Sequence, residues 1–194
     1  MIQIVLIRPG ATDYDDQGRI LGTLDIPLSE QGTRDVERII REVRPLNISA
    51  IYCGPCESTS QTATAIAEAL DVKLKKIDNL RNIDHGLWQG MLIEDVKRKQ
   101  PKVYRQWQEQ PGIICPPQGE MLKTAQERVH SALTKILKKH KDGTIALVVP
   151  DPLAGVVQGE LSQREIGYFW KTRSECGKWE IIAGQPQSVV EAQS

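Results

Sequence analysis

The sequence predicts an α/β fold, a three-layer α/β/α sandwich around a mostly parallel sheet. Three observations predict it. Residues 2–7 and 144–149 are short, β-branched and almost continuously apolar, the mark of strands buried on both faces. Amphipathic helical stripes alternate with these runs along most of the chain. The composition, 40% hydrophobic and 26% charged over 194 residues, suits a globular chain with ample apolar surface for a core.

Each element follows in order. Residues 2–7 give a first strand, ended by Arg8-Pro9-Gly10. Residues 11–28 are rich in Asp and Gly, with Pro27, and read as a long ordered loop. Ser29 is placed to cap a helix carrying Val36, Ile39, Ile40 and Val43 on one stripe. Residues 50–53 read as a second strand, stopped at Gly54-Pro55, and Ala63, Ile66, Ala67 and Leu70 mark a second helix. Residues 72–77 alternate weakly, as an edge strand would. Residues 81–90 form a polar loop, and 91–109 a helical region interrupted near Pro101. The longest amphipathic helix runs from Met121 to Leu137. The second strongly apolar strand is stopped by Pro150-Asp151-Pro152, and residues 179–183 are a last short strand. Residues 1–183 are expected to form one domain, with 184–194 as a polar tail.

Charge and composition exclude several functions. Lys+Arg and Asp+Glu are 25 each, so no global field draws the chain to nucleic acid or an anionic membrane. No run of about 18 apolar residues exists to span a bilayer. The apolar run after Met1 has no basic region before it, unlike a signal peptide. Four Cys in a chain of this length do not make a disulfide scaffold, which points to a reducing cytoplasm.

In such folds sites lie beyond the carboxyl ends of the strands, here residues 8–12, 53–58 and 150–155. These strand ends carry a resemblance. Leu6-Ile7-Arg8-Pro9-Gly10-Ala11-Thr12, then Gly18-Arg19-Ile20-Leu21-Gly22, then Asp25-Ile26-Pro27-Leu28-Ser29-Glu30-Gln31-Gly32 resemble the opening of the histidine phosphatase superfamily, the phosphoglycerate-mutase-like group. Gln61-Thr62-Ala63, the set Leu80, Gly86, Trp88 and Gly90, Pro117-Gln118-Gly119-Glu120 with Arg128-Val129, and Leu147-Val148-Val149-Pro150-Asp151 resemble its later motifs, in order. The resemblance implies a mixed sheet of about six strands. It also implies a pocket in which an imidazole attacks a phosphoryl group, two arginines and a second imidazole neutralise the equatorial oxygens, and a carboxylic acid protonates the leaving oxygen.

Carried over residue by residue, that pocket is degenerate. Arg8 supplies the first arginine, but the nucleophile position holds Pro9, which offers no side-chain lone pair. The second arginine position holds Ser58, the proton-donor position Asn82 and the second imidazole position Asp151. The resemblance therefore implies a pseudoenzyme with no catalytic residue by the phosphohistidine route, no cofactor, and a binding or regulatory role toward a small molecule or protein. Arg8 and Asp151 are expected to pair bidentately across the emptied pocket.

Two alternatives stand beside this reading. Cys53-Gly54-Pro55-Cys56 resembles a thioredoxin-type dithiol at a helix start and suggests thiol-disulfide redox chemistry. Its bland reading is a structural turn. A phosphatase with a non-family mechanism is the second, for instance with a divalent cation held by Asp13, Asp15 and Asp151; lone Cys115 and Cys176 complete no zinc set, and no metal is assigned. A homodimer is compatible with the sequence. His85 lies in the middle loop, where a surface or hydrogen-bonding role outweighs residual acid–base work. His130 and His140 read as solvated, as does the basic run Lys135, Lys138, Lys139 and Lys141, favourably placed at a helix end. Trp88, Trp107, Trp170 and Trp179 read as core or contact residues.

Overall fold

A computed structural model describes residues 2–166 and 175–184. Five strands form one sheet: β1 (Ile2–Ile7), β2 (Ile48–Cys53), β3 (Lys73–Lys76), β4 (Gly143–Val148) and β5 (Trp179–Gly184), in the order β3-β2-β4-β1-β5. The first four run parallel and β5 runs antiparallel to β1. The expected mostly parallel sandwich is present, with five strands among the described residues where about six were expected. Residues 185–194, most of the expected tail, and Trp170 lie outside the described residues.

Central β1 and β4 are apolar on both sides because both faces are covered. Ile4, Leu6, Ile145 and Leu147 pack with α6 (Leu122–Leu137) and α7 (Leu153–Ser162). Val5, Ile7, Ala146 and Val148 pack with α2 (Glu30–Val43) and α3 (Glu57–Leu70). A third cluster, Ile20, Trp88, Val96, Tyr104 and Trp107, joins the two irregular loops to α4 (Ile93–Lys99) and α5 (Pro101–Glu109). Pro101 separates those two helices, where the sequence puts an interruption. No described helix is long and apolar enough to cross a membrane.

The structure departs from the sequence reading in two segments. Residues 11–28 are not wholly loop: Asp13–Asp16 form α1, because Thr12 and Asp15 close a capping box in which each side chain serves the other's backbone N–H. Helix α7 follows Pro152 directly. It escapes periodicity because Leu153, Ala154, Val156 and Val157 are all buried, so the helix is apolar around most of its circumference.

Candidate functional site

Strand order assembles the site. β1 and β4 are neighbours in register, with Ile7 opposite Val148, so the residues just beyond them, Arg8 and Asp151, face each other. β2 lies on the other side of β4 and delivers α3, whose first turn carries Ser58. The middle loop brings Asn82 over the same end of the sheet. Arg8, Pro9, Ser58, Asn82 and Asp151 are all buried.

The expected Arg8–Asp151 pair is present, in a different form. A single N–H, that of Nε, is shared between Asp151 Oδ1 at 3.3 Å and Oδ2 at 3.2 Å, rather than two parallel N–H groups meeting two oxygens. The reason is a second acid: Arg8 Nη1 donates to Glu180 Oε1 at 2.7 Å. Glu180 is held in turn by Gln158 Nε2, which donates to Oε2 at 2.6 Å. Asp151 Oδ2 also accepts the Glu175 backbone N–H at 3.0 Å. Burial opposes the Arg8 charge, but Asp151, Glu180 and Glu175 outweigh it and leave its pKa raised. For Asp151, burial dominates over Arg8 and lifts the carboxyl above its usual range. The carboxylates around Arg8 set the first direction and burial sets the second. A phosphate dianion entering here would have to displace carboxylates from Arg8 in a region already rich in negative charge.

Of the other three positions, Pro9 and Asn82 are held by hydrogen bonds. Pro9 is tied down by its carbonyl, which accepts the Gly177 N–H at 2.8 Å. Asn82 donates from Nδ2 to the carbonyls of Gly22 (3.1 Å) and Asp151 (3.0 Å), while its Oδ1 accepts the Ile83 N–H at 2.9 Å. An amide can do this because it both donates and accepts; an ionised carboxylate there would face two carbonyl oxygens. Among the described residues, no hydrogen bond joins Ser58 to Arg8, Asn82 or Asp151.

Sequence reasoning missed Glu180, and named Arg128 only within a motif, without a role. Glu180 had a signal, a lone acid inside the apolar strand Trp179–Gly184. Arg128 is 8% exposed and donates to the carbonyls of Asn79, Arg81 and Asn82 and to both Glu120 oxygens, pinning the middle loop that carries Asn82.

The thiols are free, and both are buried. Burial pushes Cys53 up to about 11, and it raises Cys56 too, although the Asn82 backbone N–H works the other way. A helix start usually favours thiolate; here desolvation is the larger influence and works against it at both thiols. Asp15 is occupied by the Thr12 backbone and hydroxyl, and no group of His, Cys, Asp or Glu suited to a metal occurs among the described residues. The cation site drawn from Asp13, Asp15 and Asp151 is therefore not assembled.

His85 and His140 differ from expectation, whereas His130 is exposed, as expected. His85 is 2% exposed, edge-on to Trp107, with Nδ1 buried and unpartnered. Burial lowers its pKa from 6.5 to about 4, so the ring is neutral near pH 7. His140 Nε2 meets the Tyr52 hydroxyl at 2.7 Å, and His130 Nδ1 meets Glu160.

Comparison with known proteins bears on the family and the fold. Residues 4–189 match the family described as the histidine phosphatase superfamily (branch 1). The chain is 30% identical over 182 residues to "Phosphoserine phosphatase 1" of Hydrogenobacter thermophilus, covering 94% of this chain and 86% of that protein. It is 30% identical to the "Probable phosphoglycerate mutase GpmB" of Klebsiella pneumoniae over 71% of this chain, and spans 64% of that relative's length. Among solved structures, a mycobacterial glucosyl-3-phosphoglycerate phosphatase complexed with VO3 superposes with TM-score 0.86 at 19% identity, covering 94% of this chain and 91% of the other. YhfR of Bacillus stearothermophilus gives 0.83 at 21% identity, covering 94% and 91%. At these identities the structural likeness speaks to fold alone.

Proposed function

Because the chain belongs to the histidine phosphatase superfamily, branch 1, we propose that it is a member without phosphohistidine chemistry, whose pocket serves binding or regulation. One observation carries the reading: two of the Arg8 nitrogens, Nε and Nη1, are engaged by Asp151 and Glu180 in the place where a phosphoryl group would be held. The reactive positions of the resemblance add to it. Pro9 has no lone pair to attack phosphorus, Asn82 does not titrate, and Ser58 carries no charge. In this reading the degenerate pocket comprises Arg8, Pro9, Ser58, Asn82 and Asp151, set in one domain of residues 1–183 working in a reducing cytoplasm.

A second reading has an observation in its favour. A relative similar over 94% of the chain is named a phosphoserine phosphatase, which would make this protein a phosphomonoesterase using another mechanism. The two readings diverge in one assay. Phosphoserine and p-nitrophenyl phosphate are offered to purified protein and to Arg8→Met. We expect both preparations to sit at the buffer rate. Turnover that follows the wild-type protein and disappears in Arg8→Met would establish the phosphatase instead.

A further inference from the structure

On the α6 face of the sheet, between β3 and the C-terminal half of α6, lies a cavity of about 470 Å³. Its rim is basic. Lys75 and Lys76 come from β3; Lys135, Lys138 and Lys139 come from the end of α6, and all five are exposed. Its floor is apolar, formed by Ile77, Ala132 and Ile136 with the ring of Tyr52. No carboxylate lines it, and among the described residues none of the five lysines joins an ion pair.

Ordinary causes explain each group of lysines separately. Cations suit a helix C-terminus, and lysines guard an edge strand such as β3 against pairing. Neither cause makes two elements converge on one cavity, and neither puts an apolar floor beneath the charges. The charge is local: the chain as a whole is neutral, so the field is confined to this rim and not spread along a track for a long polyanion. The volume lies in the range of small-molecule sites, about 300–1,000 Å³.

We propose that this groove binds a small polyanion with an apolar body, of the nucleoside polyphosphate class. The lysines take the phosphates as point charges, and the floor takes the base. The site is independent of the Arg8 pocket, and its test does not rely on the loss of phosphatase activity.

The probes are ATP and inorganic tripolyphosphate, titrated calorimetrically at about 0.05 M and about 0.5 M salt, where screening lengths differ about threefold. ATP is expected to bind at low salt at least tenfold more tightly than tripolyphosphate, and to weaken at high salt. Lys75→Glu/Lys138→Glu is expected to lose at least tenfold in ATP affinity. Lys123→Glu, which changes charge on the exposed first turn of α6 away from the groove, is expected to lose little. Circular dichroism confirms that the variants fold. Three results would overturn the proposal: no ATP binding at low salt, equal affinity for the two probes, or equal losses in the groove and control variants.

Discussion

Arg8 shows how much a single buried charge depends on its partners. Its side chain is 4% exposed and that of Asp151 1%, so neither charge can turn to water when the other is removed. Asp151→Ala is expected to cost about 3 kcal/mol, the low end for breaking a buried pair, because Glu180 keeps part of the Arg8 charge compensated. Urea unfolding measures it, and a loss below about 1 kcal/mol, the scale of surface pairs, would mean the pair is solvated in solution. His85 supplies a pH dependence. Its folded pKa, about 4, lies below the ordinary 6.5, so between those values the unfolded chain binds more protons. Stability is therefore complete above about pH 6.5 and falls as the solution is acidified toward 4. His85→Phe removes that proton and keeps an aromatic edge against Trp107. Between pH 7 and 5 the stability of the variant is expected to improve relative to the wild type by about 2 kcal/mol, from about 1.4 kcal/mol per pH unit. Parallel urea curves at the two pH values would expose a solvated His85 instead.

Elements meet so closely at the first loop that glycine is required. A Cβ on Gly32, in the first turn of α2, would stand 2.0 Å from the Ala11 carbonyl oxygen, and one on Gly10 would stand 2.3 Å from the Gly32 oxygen. Both obstacles are backbone, which cannot swing aside, so Gly32→Ala is expected to destabilise by about 2 kcal/mol or more. A thermal melt checks this; an unchanged melting temperature would mean that the loop and α2 separate at little cost. Much of this level was legible in the sequence. Ser29 caps α2 as expected, its Oγ accepting the Gly32 N–H at 3.1 Å, because a cap leaves a local signature. The edge strand, the α4–α5 break and the β1 and β4 runs were likewise written in local patterns. What could not be read is long-range: Arg8 finding Glu180 across 172 residues, and Arg128 gathering three carbonyls more than 45 residues away. Such partners follow from topology, and no spacing in the chain encodes them.

At the scale of the whole molecule, three of the pocket residues, Arg8, Asn82 and Asp151, are tied into the surrounding structure by hydrogen bonds, and under the proposed reading this decides whether chemistry can be put back. Pro9→His with Asp151→His would return the two imidazoles that the family resemblance implies. It would also remove the carboxylate that Arg8 and the Glu175 N–H both use. Adding Ser58→Arg places a second cation at a site that is 1% exposed, where burial opposes charge unless an anion is bound. Adding Asn82→Glu exchanges an amide that donates to Gly22 and Asp151 for an acid that cannot donate when ionised. The gains are cooperative, since catalytic groups act as a unit, whereas each loss of a structural contact arrives with its own substitution. The double variant is therefore expected to show no turnover of p-nitrophenyl phosphate above buffer. The fourfold variant is expected to melt well below the wild type and to be rescued in part by vanadate or phosphate, because an anion would compensate the new positive charge and stabilise the folded state by mass action. A double variant that turned over substrate, with melting temperature unchanged, would show instead that the pocket had kept its phosphoryl-transfer geometry and lacked only its imidazoles.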